Sequence, residues 1–124
     1  MEVVYNTCFG GFGLSDKAIE LYKRKSQNAD EPNIYIRHDP LLIEVVKELG
    51  KDASDIYSDL QIETIPIEYI NCYTIVEYDG MENVRTDPAA LIEYKLWEYA
   101  KEINNASDTD CKDFLKSLIA ILEN

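Results

Sequence analysis

Basic residues are scarce in this chain: 12 lysines and arginines stand against 24 aspartates and glutamates, a formal net charge of −12 over 124 residues. That deficit argues against binding DNA or RNA through the phosphate backbone, which needs a cationic surface and counterion release. A small anion is not excluded, provided that a few bases and N–H dipoles gather locally. There is one histidine, His38, so a pair of histidine metal ligands is ruled out. The three cysteines, Cys8, Cys72 and Cys111, are widely spaced with no C-x-x-C, and read as reduced thiols of a cytosolic protein. No apolar run approaches the roughly 18 residues of a membrane helix. Met1-Glu2-Val3-Val4 lacks the basic start and apolar core of a secretion signal. No membrane partner is therefore expected.

Catalytic and cofactor motifs are missing as well. The Gly10-Gly11-Phe12-Gly13 turn is followed by no Gly-Lys-Ser/Thr, is not a G-x-G-x-x-G fingerprint, and no G-x-S-x-G elbow occurs. Carboxylates are plentiful, but their pattern is that of solvated faces and helix starts. A Cys–His pair would need Cys8 and His38 to meet, and nothing in their spacing argues for it. No cofactor, no metal and no catalytic group is expected.

What remains is a single domain, residues 1–124, of the α+β class: a small, mostly antiparallel sheet packed with about four helices. Residues 1–8 read as a strand of β-branched and aromatic residues bounded by glycine. Three of the five glycines follow in one turn, which leads into a helix from Ser15 through Lys25. Ser15 is a good N-cap, Leu14 and Ile19 hold staple positions, and Ala18, Ile19, Leu21 and Tyr22 give the inner face. Lys23-Arg24-Lys25 suits the negative end of that helix. After a polar loop, residues 33–37 read as a short alternating strand. Asp39-Pro40 then opens a helix with the stripe Leu41, Leu42, Val45, Val46 and Leu49, ended by Gly50. Residues 60–65 and 72–78 read as strands, and Asp79-Gly80 as a hairpin turn. Asp87-Pro88 opens the longest helix, to about Asn104, with Ala89, Ile92, Leu96, Tyr99 and Ile103 on one stripe and Leu91 and Trp97 beside it. Ser107 with Asp110 resembles a capping box, and the last helix carries Cys111, Phe114, Leu115, Leu118, Ile119 and Leu122. Two such broad apolar helices exceed what one small sheet needs, so they are expected at a subunit interface.

The opening turn is the strongest candidate site. A glycine-rich bend before a helix start can aim backbone N–H groups at an anion, and Phe9 or Phe12 is either a core anchor or a stacking platform for a flat ring. An echo adds to it: Arg37 and Arg85 each stand two residues before an N-capping aspartate. Repeated use of a good helix start explains this, and so does a guanidinium sharing a phosphate with helix N–H groups.

The stretch Asn6-Thr7-Cys8-Phe9-Gly10-Gly11-Phe12-Gly13-Leu14-Ser15 resembles the start of a family of small phage and viral proteins, the anti-Thoeris signal sponges of the Tad type. Arg37-x-Asp39-Pro40-x-Leu42, Glu48-Leu49-Gly50 and Tyr78-Asp79-Gly80 look like later marks of the same family. The likeness covers residues 3–85 and leaves the C-terminal helices without a matching motif. It implies a non-enzymatic protein in the cytoplasm of the infected bacterial host. Such proteins sequester glyco-cyclic ADP-ribose (gcADPR), which a TIR-domain enzyme makes from NAD, so that the Thoeris effector stays inactive. They assemble as homo-oligomers built from dimers, and some also hold cyclic oligonucleotides at a separate site. The resemblance carries over only the opening turn, Arg37 and Arg85. The full expected ligand-binding set is Asn6, Thr7, Phe9, Gly10, Gly11, Phe12, Gly13, Leu14, Ser15, Arg24, Arg37, Tyr78 and Arg85. A small nucleotide-processing enzyme and an acidic protein-interaction inhibitor are the alternatives.

Overall fold

Capping side chains set three of the helix starts. Ser15 is extended, and its Oγ accepts the Ala18 N–H at 3.1 Å, so helix α1 (Asp16–Lys25) starts where the sequence places it. Asp39 accepts the Leu41 N–H at 2.9 Å and Pro40 fills the first position of α2 (Pro40–Leu49). Asp87 does the same for Ala89 at 3.0 Å at the head of α3 (Pro88–Glu102). Gly50, at φ +57°, ends α2, and a 3-10 turn (Gly50–Ala53) follows. The last helix is α4 (Asp108–Glu123). The computed structural model describes residues 1–102 and 108–123. The expected Ser107 capping box, the end of the α3 stripe at Ile103, and the side chains of Cys111, Phe114 and Leu115 lie outside the described residues.

Strands form two small antiparallel sheets, not one. β1 (Glu2–Asn6) pairs with β2 (Leu60–Thr64), Val4 opposite Ile62. β3 (Thr74–Tyr78) pairs with β4 (Met81–Arg85) through a turn whose Asp79 and Gly80 have φ +53° and +91°, the primed geometry that a two-residue hairpin favours. β1 stops at Asn6, short of residue 8, because the Asn6 side chain captures the Cys8 N–H and bends the chain.

The strand expected over residues 33–37 is absent. Asn33 Oδ1 accepts the Tyr35 N–H, and the Asn33 carbonyl accepts from Ile36, so the segment curls into consecutive turns. Only its end reaches a sheet, where the Arg37 carbonyl accepts the Val4 N–H at 2.9 Å. The alternation of Ile34, Tyr35 and Ile36 therefore has no ladder to join, and all three are exposed.

The core lies between β1, β2 and the α1–α2 pair: Val4, Ala18, Leu21, Tyr22, Leu42, Val45, Val46 and Leu60. Leu42, Val3, Val4 and Val45 are fully buried, each worth about 1.5–3 kcal/mol relative to exposure. The C-terminal helices are covered far less. Leu91 is the one buried residue of α3, while Leu96 and Trp97, with Ile119 and Leu122 of α4, are exposed. Of the α3 stripe read from spacing, Ile92 and Tyr99 are half-buried while Ala89 and Leu96 are exposed, and Leu91, beside that stripe, is the buried residue.

Candidate ligand-binding site

The glycine turn stands on a buried polar support. Asn6, wholly inaccessible, donates from Nδ2 to the carbonyls of Cys8 (2.6 Å) and Gly80 (2.8 Å), and its Oδ1 accepts from Cys8 N (3.1 Å) and Asp59 N (2.9 Å). A primary amide has two donors and two acceptor sites, so its capacity is used up. The Asn6 backbone N–H goes to Glu82 Oε1 at 2.9 Å. Glu82 in turn takes Arg37 in a two-pronged pair, Nη1 at 2.7 Å and Nη2 at 3.0 Å, both side chains buried. Arg37 Nε donates to the Ile34 carbonyl, and the guanidinium carbon lies 3.6 Å from the centroid of the Phe12 ring. The three loops that meet at the turn are therefore pinned by one network.

Close backbone approach explains the glycines. A Cβ on Gly10 would lie 2.2 Å from the Tyr57 carbonyl oxygen, and one on Gly80 would lie 2.1 Å from that of Phe9. One on Gly13 would meet the Asp55 carboxylate. Gly11 has φ +94° and open space around it, so conformation rather than room selects glycine there. Gly11 N–H closes the turn at Phe9–Gly10 toward the Cys8 carbonyl, and among the described residues the N–H groups of Phe9, Gly10, Phe12, Gly13 and Leu14 donate no backbone hydrogen bond. Phe9, Tyr57 and Tyr78, at 61%, 63% and 77% exposure, offer aromatic surface on the loops that touch the turn. Beside it runs a groove of about 310 Å³, walled by Phe12, Leu14, Ile19, Pro32, Ile34 and Asp55.

The expected ligand set divides accordingly. Phe9, Gly10, Gly11, Phe12, Gly13 and Leu14 lie together at the turn and groove, with Tyr78 on the neighbouring hairpin. Asn6 is enclosed, which corrects its place among the expected ligand contacts. Thr7 Oγ1 donates to the Asp59 carbonyl, and Ser15 Oγ is shared between the Ala18 N–H and the Asp52 carbonyl. Arg37 is corrected as the phosphate arginine: its charge is already matched by Glu82 and covered by Phe12. Arg24 and Arg85 are exposed but remote along their elements. Arg24 is roughly 14 Å up α1 from Ser15 at 1.5 Å per residue. Arg85 is roughly 17 Å down β4 from Gly80 at 3.4 Å per residue. Carboxylates surround the turn instead, from Asp55, Asp59 and Asp79.

Glu82 and Asp55 escaped the sequence reading. Glu82 could have been suspected as a lone acid in a strand, needing a partner if its face were buried. Asp55 heads an Asp-x-x-Ser turn in which Oδ1 accepts Tyr57 N, the Asp55 N–H goes to Ser58 Oγ, and that hydroxyl donates to the Gly13 carbonyl. Two tyrosines near this framework are held protonated. Tyr22 is pushed up to about 12 by its hydrogen bond to Asp39 and by burial. Burial raises Tyr73 against the opposing charge of Arg37, and its hydroxyl sits 2.6 Å from His38 Nδ1.

A second cleft of about 690 Å³ beside α2 includes His38, Ile43 and Lys47. Lys47 is paired with Glu2 at 2.7 Å, and Glu44 and Glu48 line the cleft as well, so it offers nothing that selects an anion. Among the described residues no three His, Cys, Asp or Glu side chains are placed to hold a metal ion, and no helix is long and apolar enough to cross a membrane. No protein-family model, curated protein or solved structure matches the chain.

Proposed function

We propose that this chain is a non-enzymatic phage signal sponge that sequesters gcADPR in the infected bacterial cytoplasm and so keeps the Thoeris effector inactive. The observation that carries the reading is the glycine turn itself. It offers N–H groups with no backbone partner beside an exposed phenylalanine, on a base fixed by a saturated buried network. Such a surface is prepared to hold a ligand: the pyrophosphate suits the N–H groups, and the adenine suits an aromatic face at about 1–3 kcal/mol per stacked ring. The resemblance of residues 6–15 to the sponge family supplies the identity of the ligand. Within one protomer the turn is ringed by acids. On this reading a second copy brings the cations, in a homo-oligomer of dimers joined through the exposed apolar faces of α3 and α4. Cyclic oligonucleotides would occupy a separate site.

Calorimetric titration with cyclic ADP-ribose isomers, alongside NAD, ADP-ribose and cyclic nucleotides, tests the reading. Tight binding of a cyclic isomer is expected, with the intact compound returned after heat denaturation of the protein. Recovery of a hydrolysed product would sink it and favour a small nucleotide-processing enzyme.

One observation favours a second reading, an acidic inhibitor of a basic protein. Phe9, Tyr57 and Tyr78 are exposed beside Asp55, Asp59 and Asp79, a pattern that suits lysine- and arginine-bearing surfaces. Titration with the cyclic isomers separates the two, because an acidic mimic has no use for them.

A further inference from the structure

The groove beside the glycine turn has a chemical selectivity of its own. One wall is the Phe12 ring, whose position is set from behind by Arg37, itself fixed by Glu82. Leu14, Ile19, Pro32 and Ile34 supply apolar sides. The polar feature is Asp55. Its Oδ1 is taken by the Tyr57 N–H at 2.8 Å, and its backbone is tied to Ser58, which is tied to Gly13. Oδ2 lies against Gly13 and accepts no hydrogen bond from a described residue. The second acid of the lining, Glu31, is paired with Lys23 at 3.1 Å. The groove therefore combines one flat aromatic wall, aliphatic sides and one fixed carboxylate oxygen that is open to solvent and has no donor from the described residues.

We infer that this groove is the base subsite of the proposed nucleotide site, and that it takes a nucleobase carrying an exocyclic amino group. Phe12 stacks on the ring and Asp55 Oδ2 accepts the amino N–H. The inference rests on the sponge reading for the presence of a nucleotide, and deepens it by naming what recognises the base. A volume of about 310 Å³ is at the lower end of small-molecule sites, roughly 300–1,000 Å³. It holds a base with part of its sugar and leaves the phosphates outside, next to the N–H groups of the turn. The acidic surroundings, awkward for a phosphate, become useful at this end: a carboxylate accepts from an amine and repels a carbonyl. Phe12 and Asp55 are both held by hydrogen-bonded or stacked partners before a ligand arrives, so little ordering is needed on binding.

Adenosine and purine-riboside 5′-monophosphates differ by the exocyclic amine alone, with N1 a bare acceptor in both, and share the sugar and phosphate. In titrations of the full chain, the adenine nucleotide is expected to bind about 10- to 100-fold more tightly, the range for a hydrogen bond to a charged group. Asp55→Asn, whose amide presents either a donor or an acceptor, should erase that preference. Phe12→Leu should weaken both nucleotides alike, with circular dichroism confirming the fold of each variant. Equal affinity for the two nucleotides, a preference surviving in Asp55→Asn, or no binding of either at millimolar concentration would each overturn the subsite. The outcomes are separable from the fate of the sponge. Cyclic ADP-ribose isomers binding equally well to Asp55→Asn would leave the sponge and remove the subsite. Selective binding of the adenine mononucleotide with no affinity for the cyclic isomers would do the reverse.

Discussion

The two ends of this molecule handle their difficult groups in opposite ways. Around the glycine turn, charged and polar side chains are buried and fully matched: Asn6 uses its whole amide, and Arg37 and Glu82 meet in a two-pronged pair. No described buried side-chain nitrogen or oxygen lacks a hydrogen-bond partner. In helices α3 and α4 the reverse holds. Apolar side chains stay in solvent, Trp97 at 52% and Leu122 at 70% exposure, and a cleft of about 480 Å³ separates the helices from residues 66–69. The first region is complete within one chain. The second has surface left over. Mutations in the former should therefore change stability, and those in the latter should change assembly.

The largest effect is expected from splitting the buried pair. Glu82→Ala leaves the Arg37 charge enclosed without its partner and takes the acceptor from Asn6 N, which should cost about 3–5 kcal/mol. At roughly 3–5 °C per kcal/mol for a domain of this size, the melting temperature in a calorimetric scan should fall well beyond scatter. Replacing both partners, Arg37→Met with Glu82→Leu, should recover much of that loss, because no charge then remains buried. A double variant as unstable as Glu82→Ala would show that the pair's geometry, rather than its uncompensated charge, is what matters.

Next come the glycines, where two kinds of constraint can be compared. Gly80→Ala meets both, a positive φ and the Phe9 carbonyl, and should cost about 1–3 kcal/mol. Gly11→Ala meets only the backbone term and should cost about 1–2 kcal/mol. Chemical denaturation that ranked Gly11 above Gly80 would contradict the packing of the hairpin tip onto the turn.

These contrasts also explain what could be read from the chain beforehand. Helix starts were legible because a cap is local: Ser15, Asp39 and Asp87 each bond an N–H two or three residues away. The Asp79-Gly80 turn was legible for the same reason. Residues 33–37 were misread because alternation fits a strand only where a partner edge exists, and Asn33 instead turned the chain on itself. Arg37 was misread for a deeper reason. Its partner is 45 positions away, and no local pattern tells a buried arginine matched by a distant glutamate from one waiting for a phosphate. Of the candidate site, the turn and its aromatics were visible, while Asp55 and the groove came only from the fold.

A smaller effect is expected at high pH. Tyr22 is held up to about 12 by its hydrogen bond to Asp39 and by burial, against 10.0 for a free tyrosine. The folded state therefore keeps a proton that the unfolded chain releases, so the stability from this group is fully present below pH 10 and lost between about 10 and 12. Tyr22→Phe removes the titrating hydroxyl and should flatten that part of the stability profile relative to the native chain. An unchanged slope between pH 10 and 12 would mean that the Tyr22–Asp39 contact does not persist in solution.

The smallest effect on stability, and the one most telling for the comparison, belongs to the C-terminal helices. Leu122→Ser and Trp97→Ala alter side chains that are mostly in solvent within one chain, so unfolding of a dilute sample should move by no more than about 0.5 kcal/mol. If these faces meet a second copy, the same changes remove apolar area from an interface, each anchor worth about 1–2 kcal/mol or more of association. Light scattering coupled to size exclusion should then show an oligomer of the native chain shifting toward the monomer mass in the double variant. A native chain that runs as a monomer at micromolar concentration would remove the interface. The exposed apolar face would then need another partner, and the acids around the glycine turn would have no neighbouring copy to offset them.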